Sequence, residues 1–454
     1  MHLDTLDEQT RPVTEPGTLP ARPPVPETLA DTGLSEAFVS DLLLKTLYRQ
    51  GARTGRDLSD AQHLPFTVLD DRLLTLQQRR LVEVRGTDGH GRRSYVFDLT
   101  GEGRKRASEL LQTNGYIGPA PVPSRLYREW VAGQSVRRHP ISKDRIRDGL
   151  DHLVLSEEFL ERLGPGLNSG RSVFLFGHPG NGKTEVALAV TAIIGSSIYV
   201  PHAVEMAGQI IQIFDPHLHH PVEDENEDGA PYGEIGDLGR DLLPELPTHD
   251  RRFVRVRRPG IMVGGELTLD ELDLQESPRR GVFTAPPQMK ANGGVFVIDD
   301  FGRQRVRPRD LLNRWMIPLD RGTDYLGLST GHKLEVPFDC LVFFATNLNP
   351  ADLVEEAFLR RIRHKIPMPS PTRTQFREIL RRVCAQRGVE YSEAAVEVIF
   401  DQFYSEKGIE PRSCHPRDIV ADICDYARYR GVEPTLESDL LLRACNSYFI
   451  DPRR

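Results

Sequence analysis

Residues 171–190 read RSVFLFGHPGNGKTEVALAV, and this run constrains the fold more than any other part of the chain. An apolar stretch typical of a buried strand leads into the pattern GxxxxGK[ST] at 177–184, and a helical pattern follows. Glycines let backbone N–H groups curve around phosphate oxygens, and the positive end of the next helix points at them. The run therefore predicts a phosphate-binding turn (P-loop) in an α/β domain, with a parallel sheet flanked by helices.

The side chains of this turn predict ATP and Mg²⁺ as cofactors. Lys183 is expected to place its charge near the β- and γ-phosphates, and the hydroxyl of Thr184 is expected to bind Mg²⁺. An incidental lysine in a glycine-rich turn is the alternative, but the flanking strand and helix favour the phosphate site. The predicted cofactor-binding residues of the turn are Gly177, Pro179, Gly180, Asn181, Gly182, Lys183 and Thr184.

A second strand pattern supplies the carboxylates that such a site needs. The run GGVFVIDDFGR contains an apolar stretch at 295–298, followed directly by Asp299 and Asp300. Ligands bind at the carboxyl ends of parallel strands, which is where these two residues would stand. Asp299 is predicted to hold Mg²⁺ together with Thr184, and Asp300 is predicted to polarise the attacking water. The alternative is an ordinary acidic turn after a strand.

With both motifs in place, the chain from about residue 151 onward resembles the AAA+ ATPases. LVFFATNLNP resembles the sensor-1 strand of that family, which implies that Asn347 contacts the γ-phosphate and the lytic water. EEAFLRRIRHKI is similar to the arginine-finger segment, so Arg360 or Arg361 would reach the ATP of a neighbouring subunit. SCHPRDIVADI resembles the sensor-2 motif, in which Arg417 would close over the phosphates.

The resemblance implies a P-loop AAA+ core with a C-terminal all-α lid, ATP hydrolysis, and a ring of identical subunits, most simply a hexamer. The helix and hairpin pattern that follows Asp300 resembles the MoxR-like and related branches. Two features depart from the family. Asp300 stands where a glutamate is common, and more than 100 residues separate the P-loop from Asp299. The implied function is nucleotide-driven remodelling of a partner, with a protein partner favoured.

Residues 33–114 resemble a winged-helix domain, since three helical patterns, a hairpin and a closing helix follow in order. The run L-T-x-x-G-R at 99–104 strengthens the likeness. Between residues 36 and 112 there are 13 Lys or Arg and 11 Asp or Glu, so the module is nearly neutral. Asp70 and Asp71 on the third helix would repel phosphate, whereas arginines of the hairpin would attract it. Protein docking is the favoured interpretation, and an ATP-switched DNA-binding regulator or loader is the alternative function.

Composition narrows the class of protein further. The net charge is −8, which excludes a general nucleic-acid coat. We find no apolar stretch of about 18 residues and no basic leader, so a cytoplasmic protein without a membrane span is expected.

His217, His219 and His220 suggest a zinc site, but their irregular spacing favours a surface loop. The expected organisation is a disordered Pro-rich tail (1–32), the winged-helix-like domain (33–114), a linker (115–140), the α/β domain (141–367) with an acidic insertion near 221–250, and the helical lid (368–454).

Overall fold

The computed structural model describes residues 21–222, 248–328, 331–353, 360–436 and 438–449. Most of the predicted acidic insertion and the first 20 residues lie outside these ranges. The strands are β1 Arg53–Thr54, β2 Val82–Thr87, β3 Tyr95–Leu99, β4 Val122–Pro123, β5 Ser172–Phe176, β6 Ser197–Pro201, β7 Ala203–Met206, β8 Gln209–Gln212, β9 Phe253–Arg257, β10 Gly260–Val263, β11 Gln275–Glu276, β12 Val282–Thr284, β13 Val295–Ile298, β14 Thr323–Gly327, β15 Lys333–Pro337, β16 Leu341–Thr346 and β17 His364–Pro367.

The described helices range from single turns to 16 residues. They are α1 Leu29–Thr32, α2 Glu36–Gln50, α3 Gly55–Gln62, α4 Phe66–Gln78, α5 Gly101–Thr113, α6 Ser124–Gly133, α7 Lys143–Gly149, α8 Glu157–Ser169, α9 Lys183–Ile194, α10 Pro287–Lys290, α11 Pro308–Arg321, α12 Pro350–Leu353, α13 Arg373–Arg387, α14 Glu393–Val398, α15 His415–Arg430 and α16 Ser438–Tyr448. Among them, none combines the length and apolar character needed to cross a bilayer.

A five-stranded parallel sheet forms the centre of the α/β part, in the order β10-β13-β16-β5-β17. The apolar residues of β5, β13 and β16 are almost entirely buried, as expected for strands covered on both faces. Helices α7, α8 and α9 cover one face, and α11 covers the other. The predicted α/β class, with a parallel sheet flanked by helices, is confirmed. This arrangement brings the carboxyl ends of β5, β13 and β16 together.

A second five-stranded sheet is built largely from the long segment between α9 and β13. Its order is β11-β12-β8-β7-β4, with parallel and antiparallel pairs mixed. Ala203, Ile210 and Val282 of this segment belong to the same apolar cluster as the N-terminal helices. Part of the long segment between the two nucleotide motifs therefore forms strands that pack against the N-terminal helices.

Residues 115–140 differ from the predicted linker. They form β4 and α6, and β4 pairs in parallel with β7. Trp130 on α6 is 3% exposed and packs against Tyr199 and Phe253. The prolines of this segment suggested an extended connection, but they flank the helix instead of interrupting it. The buried aromatic side chains fix the segment to β6 and β9, which form a separate two-stranded sheet.

Residues 21–32 fall within the predicted disordered tail, yet they contain a capped helical turn, α1. The carbonyl of Pro23 accepts a hydrogen bond from the amide of Asp250 at 2.9 Å. Arg252 is 1% exposed, donates to the carbonyl of Thr32 at 2.8 Å and pairs with Asp250 at 2.7 Å. A buried cation needs such partners, and these tie the start of the described chain to the residues that lead into β9, which pairs with β6.

Residues 29–113 contain helices α1–α5 and a three-stranded sheet in the order β1-β3-β2. The L-T-x-x-G-R run has a structural explanation here. Thr100 caps α5 by accepting from the amide of Gly103, and Arg104 pairs with the buried Asp98 at 3.2 Å. A Cβ atom at Gly103 would lie 2.0 Å from the carbonyl oxygen of Leu81, so only glycine fits.

Beyond β17 the described chain is helical apart from one isolated bridge, and we call residues 372–449 the helical region. Its core combines α13, α14, α15 and α16 with a π-helical turn at Ile399–Ser405. The buried members of that core include Phe376, Leu380, Ile419 and Ala444. This region packs at the carboxyl edge of the parallel sheet, beside the turn that follows β5.

Candidate functional site

The turn at 177–184 links β5 to α9 and has the backbone shape that a phosphate cradle requires. Gly177, Gly180 and Gly182 all have positive φ angles, of 147°, 81° and 89°. A Cβ atom on Gly177 would lie 2.2 Å from the carbonyl oxygen of Met368, so a side chain is excluded there. Gly182 is the N-cap of α9, so no N-cap side chain occupies the first amides of this helix. The N-terminal amides of a 12-residue helix thus point at the turn, as anion sites require.

Lys183 is held inside this turn. Its ammonium group donates to the carbonyl oxygens of Gly177 and His178, both at 2.9 Å, and to Oδ1 of Asn347 at 2.6 Å. Burial lowers its pKa from the ordinary value, although Asp299 and Asp300 oppose that shift. A buried ammonium bound only by neutral oxygens gains from an anion placed beside it. The arrangement fits a phosphate group.

Thr184 and Asp299 meet at the mouth of the turn. The hydroxyl of Thr184 lies 2.9 Å from each carboxylate oxygen of Asp299, at a separation of 115 residues in sequence. Mg²⁺ binds hard oxygen ligands and typically uses one or two protein groups together with phosphate oxygens. A hydroxyl and a carboxylate that converge beside the phosphate turn supply such ligands. These two residues fit the predicted metal site.

Asp300 and Asn347 lie next to this pair. Nδ2 of Asn347 donates to Oδ1 of Asp300 at 3.0 Å, while the other end of the same amide accepts from Lys183. Asp300 has φ +47°, an uncommon conformation for a residue with a side chain. Its carboxylate is exposed, with Asn347 orienting it at the edge of the sheet. The group can therefore accept a hydrogen bond from a water molecule in front of the turn.

Backbone and hydroxyl contacts hold the three strand ends in register. The amide of Phe301 donates to the carbonyl of Ala345 at 2.7 Å, and the Thr346 hydroxyl donates to the carbonyl of Phe301 at 2.7 Å. The amide of Gly177 donates to the carbonyl of Thr346 at 3.3 Å. This ladder fixes the relative positions of the lysine, the two aspartates and the asparagine, which preorganises the site.

The helical region touches the turn directly. The amide of Cys414 donates to the carbonyl of Gly180 at 2.9 Å. The buried side chain of Asn181 accepts from the amide of Ser413 at 3.2 Å and donates to the carbonyl of Pro369 at 3.2 Å. Asn181 was predicted as a cofactor-binding residue, and that role stays a prediction; its side chain contacts the helical region. Its backbone amide remains part of the turn.

Arg417, the predicted sensor-2 residue, lies on the first turn of α15 and is mostly exposed. Its Nε donates to Oδ1 of the adjacent Asp418 at 3.1 Å. Arg412, which the sequence analysis did not single out, lies near the turn: its Cδ atom is 4.0 Å from the position that a Cβ on Gly180 would occupy. Arg417 was predicted because it lies in the pattern HPRDI at 415–419. No sequence signal indicates which of Arg412 and Arg417 lies nearer to the turn.

Arg360 and Arg361 lie at the other edge of the sheet. Both precede β17, whose first residue His364 pairs with Val173 near the start of β5, whereas the P-loop follows the end of β5. Parallel strands of four or five residues separate these edges by roughly 13–17 Å. Nε of Arg361 donates to Asp320 at the end of α11, at 3.0 Å. Neither arginine is brought to the P-loop of its own chain.

His217, His219 and His220 do not form a metal site. Within the described ranges, no group of three or more His, Cys, Asp or Glu could hold a metal ion. His219 is fully buried, and both its ring nitrogens are engaged: Nδ1 with the amide of Asp215 at 2.9 Å, and Nε2 with the carbonyl of Lys290 at 2.9 Å. Burial lowers the pKa of this histidine, in keeping with a neutral ring that packs against Phe214.

Comparison with known proteins gives one family match, over part of the chain, and distant similarities to solved structures. Residues 372–447 match a family described as a domain of unknown function (DUF8689). No curated protein matches the chain. The Thermotoga maritima RuvB Holliday junction branch migration motor is 15% identical, with TM-score 0.36, over 65% of this chain and 70% of that one. NtrX from Brucella abortus is 14% identical, with TM-score 0.37, over 71% of this chain and 59% of that one.

A shorter match covers a smaller share of the chain. NMB1585, a MarR family regulator from Neisseria meningitidis, is 24% identical, with TM-score 0.16, over 18% of this chain and 57% of that chain. All three structures have TM-scores below 0.5, so the function proposed below is based on the geometry of this chain.

Proposed function

We propose that this protein binds ATP with Mg²⁺ and hydrolyses it. One observation carries the proposal: Lys183, Thr184, Asp299, Asp300 and Asn347 form one hydrogen-bonded group beside the turn at 177–184. Their types match the needs of phosphoryl transfer, which are positive charge, oxygen ligands for a metal and a group that orients water. Unrelated local patterns would not converge in this way from segments more than 100 residues apart.

Each residue has a role in this proposal. The turn amides and Lys183 bind the phosphates, and the carbonyls that now hold the lysine fix its position in the turn. Thr184 and Asp299 would hold Mg²⁺, which would supply positive charge that stabilises the phosphates. Asp300 accepts a hydrogen bond from the attacking water. Asn347 orients the carboxylate of Asp300 and contacts the ammonium group of Lys183.

The position of Arg360 and Arg361 supports an oligomer. They stand at the amino edge of the sheet, so either arginine can act on a phosphate only in a neighbouring copy of the chain. An arginine that approaches the developing charge raises the hydrolysis rate of P-loop enzymes by factors of about 10³–10⁵. We propose a closed ring of identical subunits, such as the hexamer of the MoxR-like and related AAA+ branches.

For the N-terminal region we propose a winged-helix module that docks a protein partner for remodelling. Several of its cations are already paired within the module, which reduces their attraction for DNA phosphates. Arg92 of the hairpin pairs with Asp70 of α4 at 2.7 Å, and Arg85 pairs with the buried Asp98 at 2.9 Å. The large shared core with the second sheet would transmit motion of the ATPase part to a docked partner.

The test is ATP binding and turnover by the full chain and by Lys183→Ala. Loss of the ammonium group should weaken ATP binding by tenfold or more and abolish phosphate release. Lys333→Ala, which removes an exposed lysine of the hairpin β14–β15, is the matched control and should behave as the original chain does. Equal ATP affinity in the two variants would overturn the assignment of the turn.

A further inference from the structure

The turn after β13 holds Asp300 in a left-handed backbone conformation, with φ +47°. This conformation is unfavourable for residues other than glycine, so the surrounding contacts must maintain it. Two of these contacts come from neighbouring strands. The amide of Asp299 donates to the carbonyl of Val263 at 2.9 Å, and the amide of Phe301 donates to the carbonyl of Ala345 at 2.7 Å. They anchor one backbone group on each side of Asp300.

Gln304 supplies two further contacts through both ends of its side-chain amide. Its Nε2 donates to the carbonyl of Asp299 at 2.6 Å, and its Oε1 accepts from the amide of Gly302 at 2.8 Å. The first of these backbone groups precedes Asp300 in the chain and the second follows it, so one side chain spans the turn. Because a carbonyl accepts and an N–H donates, the contact needs a side chain that carries a donor and an acceptor together.

The position of Gln304 is fixed by the residues that follow it. Val306 is 7% exposed and belongs to the apolar cluster between α11 and the parallel sheet. The amide of Arg305 donates to the carbonyl of Gly265, just after β10, at 3.1 Å. Gln304 itself is half-buried. Since the loop around it is already anchored, holding the side chain across the turn costs less conformational entropy.

We propose that Gln304 is a positioning residue of this ATPase, because its amide keeps Asp300 in the conformation that presents the carboxylate to water. This role rests on the proposed function, and Gln304 acts through Asp300 rather than on the nucleotide. Asn347 orients the carboxylate of Asp300 at 3.0 Å, whereas Gln304 fixes the backbone from which that side chain extends. Without Gln304 the turn would relax, and a displacement of about 1 Å in a reacting group can lower a rate by about 100-fold.

The first test is Gln304→Met in the full chain, which keeps the length of the side chain but removes its donor and acceptor. Turnover at saturating ATP should fall by about 10–100-fold, since the water-orienting carboxylate is displaced. The dissociation constant of ATP should change less than about threefold, because Lys183 and Thr184 keep their contacts. Gln386→Met, at an exposed position of α13, is the matched control and should keep both values. Thermal unfolding of both variants checks that the fold is kept.

Gln304→Glu distinguishes positioning from simple packing through its pH profile. A protonated glutamic acid can donate to the carbonyl of Asp299 and accept from the amide of Gly302, as the glutamine does. The ionised form has no donor, and its charge lies beside Asp299 and Asp300, which favours proton uptake. The turnover of this variant, divided by that of the original chain at the same pH, should rise at least about threefold from about pH 8 to about pH 6. The same ratio for Gln386→Glu should stay constant.

The outcomes separate this role from the ATPase activity on which it rests. If Gln304→Met turns over ATP as the original chain does, or if the ratio for Gln304→Glu is the same at both pH values, the positioning role is wrong and the ATPase stands. Equal losses of ATP affinity and turnover in Gln304→Met would also overturn it. If the original chain shows no turnover that Lys183→Ala removes, the proposed function fails and the role fails with it. A loss of turnover alone, together with the rise of the ratio at low pH, supports the role.

Discussion

The ammonium group of Lys183 lies 2.6 Å from Oδ1 of Asn347, across 164 residues of sequence. The same asparagine amide donates to Asp300, so one side chain connects the phosphate-binding lysine to the water-orienting carboxylate. In the proposed ATPase, a terminal phosphate would compete with Asn347 for the ammonium group of Lys183. This three-residue link is the centre of the proposed ATPase.

Replacing Asn347 tests that link. Asn347→Ala removes the acceptor for Lys183 and the donor to Asp300, and we expect ATP turnover to fall by about 10–100-fold with little change in ATP affinity. Turnover under saturating ATP, and binding by titration, measure the two effects separately. Asn313→Ala on α11 is the control, because this residue is exposed. Unchanged turnover in Asn347→Ala would remove the asparagine from the mechanism.

Asp300→Asn should stop hydrolysis while ATP binding persists. The substitution keeps the size of the side chain, and asparagine tolerates the φ of +47° at this position well. It removes the carboxylate that accepts the proton or hydrogen bond of water, a contribution of about 10²–10⁴ in rate. Phosphate release and ATP affinity are the measurements. Full turnover by this variant would mean that another group orients the water.

Mixed oligomers test the arginines at the amino edge of the sheet. Chains carrying Arg360→Ala with Arg361→Ala keep an intact turn, and Lys183→Ala chains keep the arginines. If the arginines act in a neighbouring copy, mixing the two inactive forms should restore part of the ATP turnover. Each form measured alone at the same total concentration is the control. Failure of any mixture to exceed the separate forms would argue against a site shared between subunits.

Gly103 gives a prediction about stability. Gly103→Ala would place a Cβ atom 2.0 Å from the carbonyl oxygen of Leu81, and backbone cannot move aside easily, so we expect a loss of about 2 kcal/mol or more. The control is Gly101→Ala in the same helix, where a Cβ meets nothing within 4 Å. That variant should unfold at the same temperature or slightly higher. Equal unfolding temperatures for the two variants would contradict the packing described here.

His415 predicts a pH dependence of folding. Burial lowers its pKa to about 4, against 6.5 for an unperturbed histidine, so the unfolded chain binds the proton more tightly than the folded chain. The stability that His415 contributes is complete above pH 6.5 and is lost as the pH falls from 6.5 towards 4. Between pH 7.5 and 5 the loss amounts to about 2 kcal/mol.

The measurement is denaturant unfolding of the full chain and of His415→Gln at both pH values. Glutamine cannot take up the proton, so the variant should show a smaller decrease in stability on acidification. The same slope in both proteins would mean that the ring of His415 does not titrate between the folded and unfolded states in this range.

The N-terminal region illustrates where sequence and structure agree for a physical reason. Local patterns of apolar residues and turn formers predict the order of the helices and the hairpin. The observed elements α2–α5 and β1–β3 follow that order. Its contacts with the segment between α9 and β13 cannot be predicted from local sequence patterns. The buried pair Asp250–Arg252, which holds Thr32, lies in a stretch that looks in sequence like charged surface.

The turn at 177–184 and the aspartates after β13 can be predicted from the sequence alone, because both depend on contiguous residues whose backbone conformations are local. The tertiary structure decided which distant side chains meet them: Asn347 with Lys183, Asn181 with the helical region, and Arg412 near Gly180. It also decided that residues 115–140 are packed, since the burial of Trp130 depends on strands some 70 to 120 residues further along. Local propensity is readable from a few neighbouring residues, whereas packing depends on surfaces that exist only once the chain has folded.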